Sequence, residues 1–265
     1  MNKDILTDLQ NWFNNYVNSF YGINEVLTRN IKLKQIHTTH VCENIILIAK
    51  SLSQSKEQLI IAEIAALFHD VGRFKQVAVY GTFEDRKSEN HGVLGYKILK
   101  ESGVLNQIPE KQAELILTAV KYHNALKLPD KLDKDSISLL KMLRDADKLD
   151  IWRVFLEFFE LHINDRHSAS GFELPDINGY NSEAIKNIFN KKVVLVAHLT
   201  SLNDIKLMQL SWIFDLNFKE TFRFMIERDY INKILASLPD TEEIRRLNIF
   251  LHQHVNQLLR EWINE

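Results

Sequence analysis

The chain is 265 residues long, 45% of them apolar and 26% charged, a composition that suits a globular protein with a buried core and excludes a wholly disordered chain. Its 33 basic and 35 acidic side chains leave a formal charge of −2, so there is no general basic field to hold a nucleic-acid backbone or an anionic bilayer. The single cysteine, Cys42, excludes an intrachain disulfide framework, and no apolar run reaches the length of a membrane span, about 20 residues.

Only 8 glycines and 4 prolines interrupt the chain, so helices need break at few points and few tight turns are available for sheets. Apolar residues recur at three- and four-residue intervals over 3–21, 24–53, 56–70, 89–101, 109–124, 135–163, 182–190, 203–216, 218–236 and 240–263, which predicts an all-α chain. The first stretch follows Met-Asn-Lys-Asp with no apolar signal core, and a cytoplasmic, reducing location is expected. Between the third and fourth helices, Val71 to Arg86 carries Gly72 and Gly81 with alternating residues between them and reads as an irregular loop bordering a site. Ser88 is read as the start of the next helix, Gly103 as its stop and Pro109 as the first position of the one after. Asn164 to Asn181 collects Asp, Ser, Gly, Pro and Asn and is expected to be a loop or insertion, since it keeps Phe172, Leu174, Ile177 and Tyr180. Val193 to Leu199 is apolar and β-branched, compatible with strand or helix, and Leu-Pro-Asp-Thr-Glu-Glu opens the last helix.

Five of the ten histidines, His37, His40, His69, His91 and His123, lie before residue 160 in distinct local contexts. His69-Asp70 closes the apolar helix LIIAEIAALFHD. A helix C-terminus favours the histidine but not the carboxylate, so Asp70 calls for a positive group nearby. Asp147 lies four residues after Leu143 and seven after Leu140 and continues their inward face. A buried carboxylate is costly unless a cation answers it, and the adjacent Lys148 points about 100° away on a helix, which leaves a metal ion as the partner. His37 leads the stripe of Val41, Ile45 and Ile48 and faces the core, whereas Val41 fits that stripe better than His40 does. His91 opens one helix and His123 ends another. Imidazole and carboxylate donors without thiolate suit iron, manganese, zinc, nickel or cobalt, and magnesium where carboxylates dominate. Four histidines and two aspartates exceed what one catalytic ion takes from protein, whereas two ions sharing a carboxylate would use them all.

The ordered set His37, His69-Asp70, His91, His123, Asp147, in the contexts HTxxV, HDVGR, SENHG, KYHN and DADKLD, resembles the HD superfamily of metal-dependent phosphohydrolases. The resemblance covers about 30–160. It implies an α-helical bundle there, and 1–265 is expected to form a single HD-type helical domain in which 165–265, which carries no motif, is a C-terminal helical extension packed on the core. It implies that His37, His69, Asp70 and Asp147 bind a first divalent metal ion, that Asp70 bridges to a second, and that His91 and His123 complete the second position. By the same resemblance Asp70, Arg73 and Lys148 would be catalytic. Arg73, standing where many relatives have a lysine, and Lys148 would face a phosphate, with Asn90 and Asn124 beside the ligand rings or the substrate. The partner implied is a small phosphorylated molecule, with neither nucleic acid nor membrane expected.

Departures from subfamily patterns narrow the reading. After His123 the chain reads NALKLPD, without the GYP triplet of cyclic di-GMP phosphodiesterases, and after His69-Asp70 it lacks the acidic pair of enzymes that hydrolyse stringent-response nucleotides. The expected activity is hydrolysis of a phosphate ester or anhydride of a nucleotide or small metabolite. The same ligand pattern also resembles myo-inositol oxygenase, a di-iron oxygenase, and a ligand-binding regulatory module with a metal site is the non-enzymatic alternative.

Overall fold

The computed structural model describes residues 3–160 and 174–263. The described residues are helical, with no strand among them, and none of their helices is long and apolar enough to cross a membrane. They fall into two compact units, Met1–Ser170 and Gly171–Glu265.

In the first unit α1 (Lys3–Asn18) is followed by α2 (Glu25–Ser51), α3 (Lys56–Phe68), α4 (Val71–Tyr80), α5 (His91–Ser102), α6 (Glu110–Tyr122) and α7 (Lys134–Glu160). Side-chain caps set several starts: Asn24 accepts from Leu27 N–H before α2, Ser55 and Gln58 form a reciprocal capping box at α3, and Asn90 accepts from Val93 N–H before α5. Gly81 and Gly103 end α4 and α5 in the left-handed conformation. The long α2 packs on α3, α4 and α7, and α6 packs on α3, α5 and α7. Leu27, Ile31, Val41, Ile45 and Ile48 are the buried stripe of α2, while Leu140, Leu143, Leu149 and Trp152 are that of α7.

Several elements differ from the sequence expectation. The segment read as a loop from Val71 is helical through Tyr80, and the irregular part shrinks to a short stretch containing a 3-10 turn, Asp85–Lys87. Val71, Phe74 and Val77 are buried at helical spacing, and Gly72 permits the helix to lie directly on α5: a Cβ there would stand 2.2 Å from the His91 carbonyl oxygen. Tertiary packing thus overrides the weak helix propensity of the glycine. Ser88 is not a cap, because its hydroxyl donates to Glu84 O and accepts from Gln76. Pro109 sits one residue ahead of α6 in an extended conformation.

The second unit holds α8 (Ser182–Phe189), α9 (Leu202–Ser211), α10 (Lys219–Glu227), α11 (Tyr230–Ala236) and α12 (Glu242–Ile263). Leu174 to Asn181 is non-helical, whereas the earlier part of that expected loop, with Phe172, and positions 161–163 of the expected helix lie outside the described residues. Val193 to Leu199 is neither strand nor α-helix but contains a 3-10 turn, Val196–His198. The helix expected over 218–236 is broken at Asp229, whose φ of 57° ends α10 and starts α11. The α9 helix is buried over its whole length, and Ile244, Leu247, Leu251 and Val255 are the buried face of α12.

Candidate metal centre

The first unit brings five of the six predicted ligands into two converging groups, His37, His69 and Asp70, and Asp70, His91 and His123, all of them buried. They arrive from separate helices. His37 is on α2, His69 and Asp70 occupy the junction between α3 and α4, His91 is the first residue of α5, and His123 caps the C-terminus of α6. The distance between the groups depends on close helix contact: besides Gly72 of α4, which lies against α5, Gly92 lies so near the end of α6 that a Cβ would stand 2.9 Å from Lys121 O.

Asp70 divides its carboxylate between the groups. Its Oδ2 lies 3.6 Å from His37 Nε2 and 3.5 Å from His69 Nε2, and its Oδ1 lies 3.4 Å from His91 Nε2 and 3.7 Å from His123 Nε2. Within each group the two Nε2 atoms are close, 3.2 Å for His37 and His69 and 3.1 Å for His91 and His123. Asp147, half-buried on α7, places Oδ1 3.0 Å from His37 Nε2 and 3.7 Å from His69 Nε2.

The outer nitrogens decide which atoms of the rings face inward. His69 Nδ1 donates to Ala66 O at 2.7 Å and His123 Nδ1 to Val120 O at 2.8 Å. His37 Nδ1 is 2.6 Å from Asp150 Oδ2, and His91 Nδ1 is 2.8 Å from both oxygens of Asp85. Each outer nitrogen meets an acceptor, which assigns the proton of the neutral ring to Nδ1. Four Nε2 atoms then converge on the Asp70 carboxylate, and in the neutral Nδ1–H form each ring turns a lone pair toward it. Donors about 2.1 Å from an ion and 90–110° apart stand about 3.0–3.4 Å from one another, and the inter-donor distances here run from 3.0 to 3.7 Å. The residues therefore fit a divalent cation in each group.

Electrostatics separate His91 from His37. Burial pushes the His91 imidazole down, the charge of Arg73 adds to this, and it falls to about 3, so the ring is neutral. Burial and Lys34 also depress His37, but its hydrogen bonds to Asp147 and Asp150 outweigh them and its pKa is raised, which favours a second proton on Nε2 toward Asp147, in the place a cation would take. Burial would raise Asp70, yet Lys34 first and His69 next hold its carboxyl well below the usual range. Asp147 is lowered as well, burial being overcome by His37 and His69.

The positive group that Asp70 calls for is in part Lys34, whose Nζ is 2.7 Å from Oδ2. Asp70 is also the residue preceding α4, so it stands at a positive helix end as well as a negative one, a compensation hidden by reading the segment after it as a loop. Arg73 Nη1 donates to Gln76 Oε1, Phe83 O and Asp85 Oδ1, and its Nε lies 3.6 Å from Asp70 Oδ1. Lys148 is buried on α7, Asn90 is exposed with its side-chain oxygen accepting from Val93 N–H, and Asn124 donates to Asp85 Oδ2 at 3.0 Å. His40 places Nδ1 3.1 Å from Asp150 Oδ1 at the rim.

Sequence reasoning missed Lys34, Gln76, Asp85 and the part played by Asp150. Lys34 precedes His37 by three residues and Asp150 follows Asp147 by three, so helical spacing carried a signal for both. Nothing local marks Asp85.

No curated protein and no solved structure matches the chain. A family model does: its description is HD domain, and it covers residues 35–152, a span that holds all six predicted ligands. With the ordered motif, the helical fold and the two buried His/Asp groups that share Asp70, residues 35–152 of this chain are an HD domain.

Proposed function

We propose that the chain is a metal-dependent phosphohydrolase that cleaves a phosphate ester or anhydride of a nucleotide or small phosphorylated metabolite at a dinuclear His/Asp centre. The observation that carries this reading is the convergence of four imidazole nitrogens on a carboxylate split between two groups. His37, His69, Asp70 and Asp147 would hold one divalent ion, and Asp70, His91 and His123 the other, from among iron, manganese, nickel, cobalt, zinc and magnesium. Such ions supply Lewis acidity toward phosphoryl oxygens and lower the pKa of a bound water from 15.7 toward about 7.

The chain's own groups do the rest. Asp70 fixes the spacing of the two positions, because one rigid carboxylate serves both. Lys34, half-buried with Nζ beside Asp70, adds positive charge where phosphate oxygens would gather. Arg73 contributes to the same field while anchored to Asp85. His37, His69, His91 and His123 cannot serve as general bases while their inward lone pairs are committed to ions. The proton for the leaving group must come from a different group or from water.

The test is a hydrolysis screen of the Mn²⁺-loaded chain against nucleoside mono-, di- and triphosphates and sugar phosphates, with oxygen uptake followed in parallel on an iron-loaded sample. Phosphate or pyrophosphate release abolished by chelator supports the proposal. Oxygen consumption without phosphate release assigns the centre to oxygenase chemistry instead.

A further inference from the structure

The four imidazoles are not backed alike. His69 and His123 each donate Nδ1–H to a carbonyl three residues earlier, Ala66 and Val120, so their orientation comes with the helix end that carries them. His37 and His91 are backed by carboxylates, Asp150 and Asp85, so one carboxylate-backed ring falls in each group. Each carboxylate is held in turn by an arginine. Arg153 places Nε 2.6 Å from Asp150 Oδ1 and Nη2 3.0 Å from Oδ2. Arg73 places Nη1 3.2 Å from Asp85 Oδ1, and Gln76 Nε2 at 2.9 Å and Asn124 Nδ2 at 3.0 Å complete the surround of Asp85. Two chains of the same kind, Arg153–Asp150–His37 and Arg73–Asp85–His91, therefore end on opposite sides of Asp70.

We propose that Asp150 and Asp85 are positioning residues, one for each half of the centre, and that Asp85 sets how tightly the position formed by Asp70, His91 and His123 holds its ion. The inference rests on the metal-centre reading and goes beyond it to residues that are not ligands. A carboxylate on Nδ1–H locks the ring's orientation and tautomer and makes Nε2 a stronger donor than a carbonyl partner does. The two carboxylates are supported differently. Asp150 sits inside α7, one turn after Asp147, with its side chain 2% exposed. Asp85 sits on a 3-10 turn, 27% exposed, and depends on side chains from α4 and from the residue after His123. The position it supports also has three protein donors where the other has four, counting Asp147. Loss of Asp85 should therefore release one ion selectively.

The experiment is calorimetric titration of the chelator-stripped full chain with Mn²⁺, with circular dichroism on the same samples, for wild type, Asp85→Ala, His91→Ala and the double variant. Wild type is expected to bind in two steps. In Asp85→Ala the weaker step loses about 10–100-fold in affinity, the range for outer partners of metal-bound histidines, and the tighter step stays close to wild type. In the His91→Ala background Asp85→Ala changes the isotherm no further, because it acts through His91. Asp85→Asn, which keeps the volume and an oxygen acceptor without the charge, falls between and serves where Asp85→Ala does not fold. Wild-type affinities in both Asp85 variants, or an equal loss with and without His91, would overturn the inference while leaving the metal centre standing. A wild-type chain that takes up no Mn²⁺ would overturn the metal centre and this inference together.

Discussion

Asp70 in the first unit and Asp204 in the second are both buried carboxylates next to a helix start, yet their surroundings answer them in opposite ways. Asp204 accepts from Asn181 N–H at 2.6 Å, Thr200 N–H at 2.8 Å, Thr200 Oγ1 at 2.7 Å and Ser201 N–H at 3.0 Å. Backbone donors surround it, and it ties the loop before α8 to the start of α9. Asp70 makes no cap hydrogen bond to the backbone of α4 and faces four imidazole nitrogens that the neutral tautomers leave without protons. The lesson is that a buried carboxylate by itself does not mark a metal site. What marks one is a buried carboxylate that, beyond its ion pair with Lys34, faces several ring nitrogens able to turn lone pairs toward it.

The difference can be broken by substitution. Asp70→Ala removes the shared ligand and should lower hydrolysis at least about 100-fold, the upper end for partners one step further from a metal. The same change strips Lys34 of its buried partner, so chelator-treated protein should also lose stability, by about 1–3 kcal/mol. Asp204→Ala should cost about 3 kcal/mol in urea denaturation because several backbone donors lose their acceptor. Its hydrolysis by the folded fraction should persist. Mn²⁺ at about 100 times the dissociation constant of the tighter position should stabilise wild type and Asp204→Ala by at least about 2.7 kcal/mol and Asp70→Ala by much less. Equal responses of the two variants to metal would remove the distinction.

A smaller effect sharpens the geometric side of the account. Gly72→Ala puts a Cβ 2.2 Å from His91 O and 2.7 Å from Gly95 N, so α4 and α5 must separate at a cost of about 1–3 kcal/mol. His91 moves with them, and Mn²⁺ affinity should fall alongside stability. Gly81→Ala is the control: its φ of 69° makes the substitution strained, but open space surrounds the site of the new Cβ. It should cost about 1 kcal/mol with Mn²⁺ affinity unchanged.

How much of this was legible in the sequence depended on the range of the signal. His69-Asp70 at the end of an apolar helix and Asp147 on the face of Leu140 and Leu143 were readable because three- and four-residue periodicity is local. The tie from Asp85 to His91 crosses a turn whose course depends on α4 lying against α5, so no spacing rule exposes it. Helix α4 itself was hidden because Gly72 lowers local propensity while making the packing possible. Asp229 hid the break between α10 and α11, since a left-handed aspartate gives no sign that a glycine would have given. Arg73 was read as a cation for phosphate from its place after His69-Asp70, whereas the fold shows its hydrogen bonds to Gln76, Phe83 and Asp85 as well.

The most direct test of the central claim is the metal-to-protein ratio, by elemental analysis, of the full chain purified without chelator, compared with His91→Ala and His123→Ala. The account predicts about two ions per chain in wild type and about one in each variant. One ion or fewer in wild type, unchanged by either substitution, would contradict it.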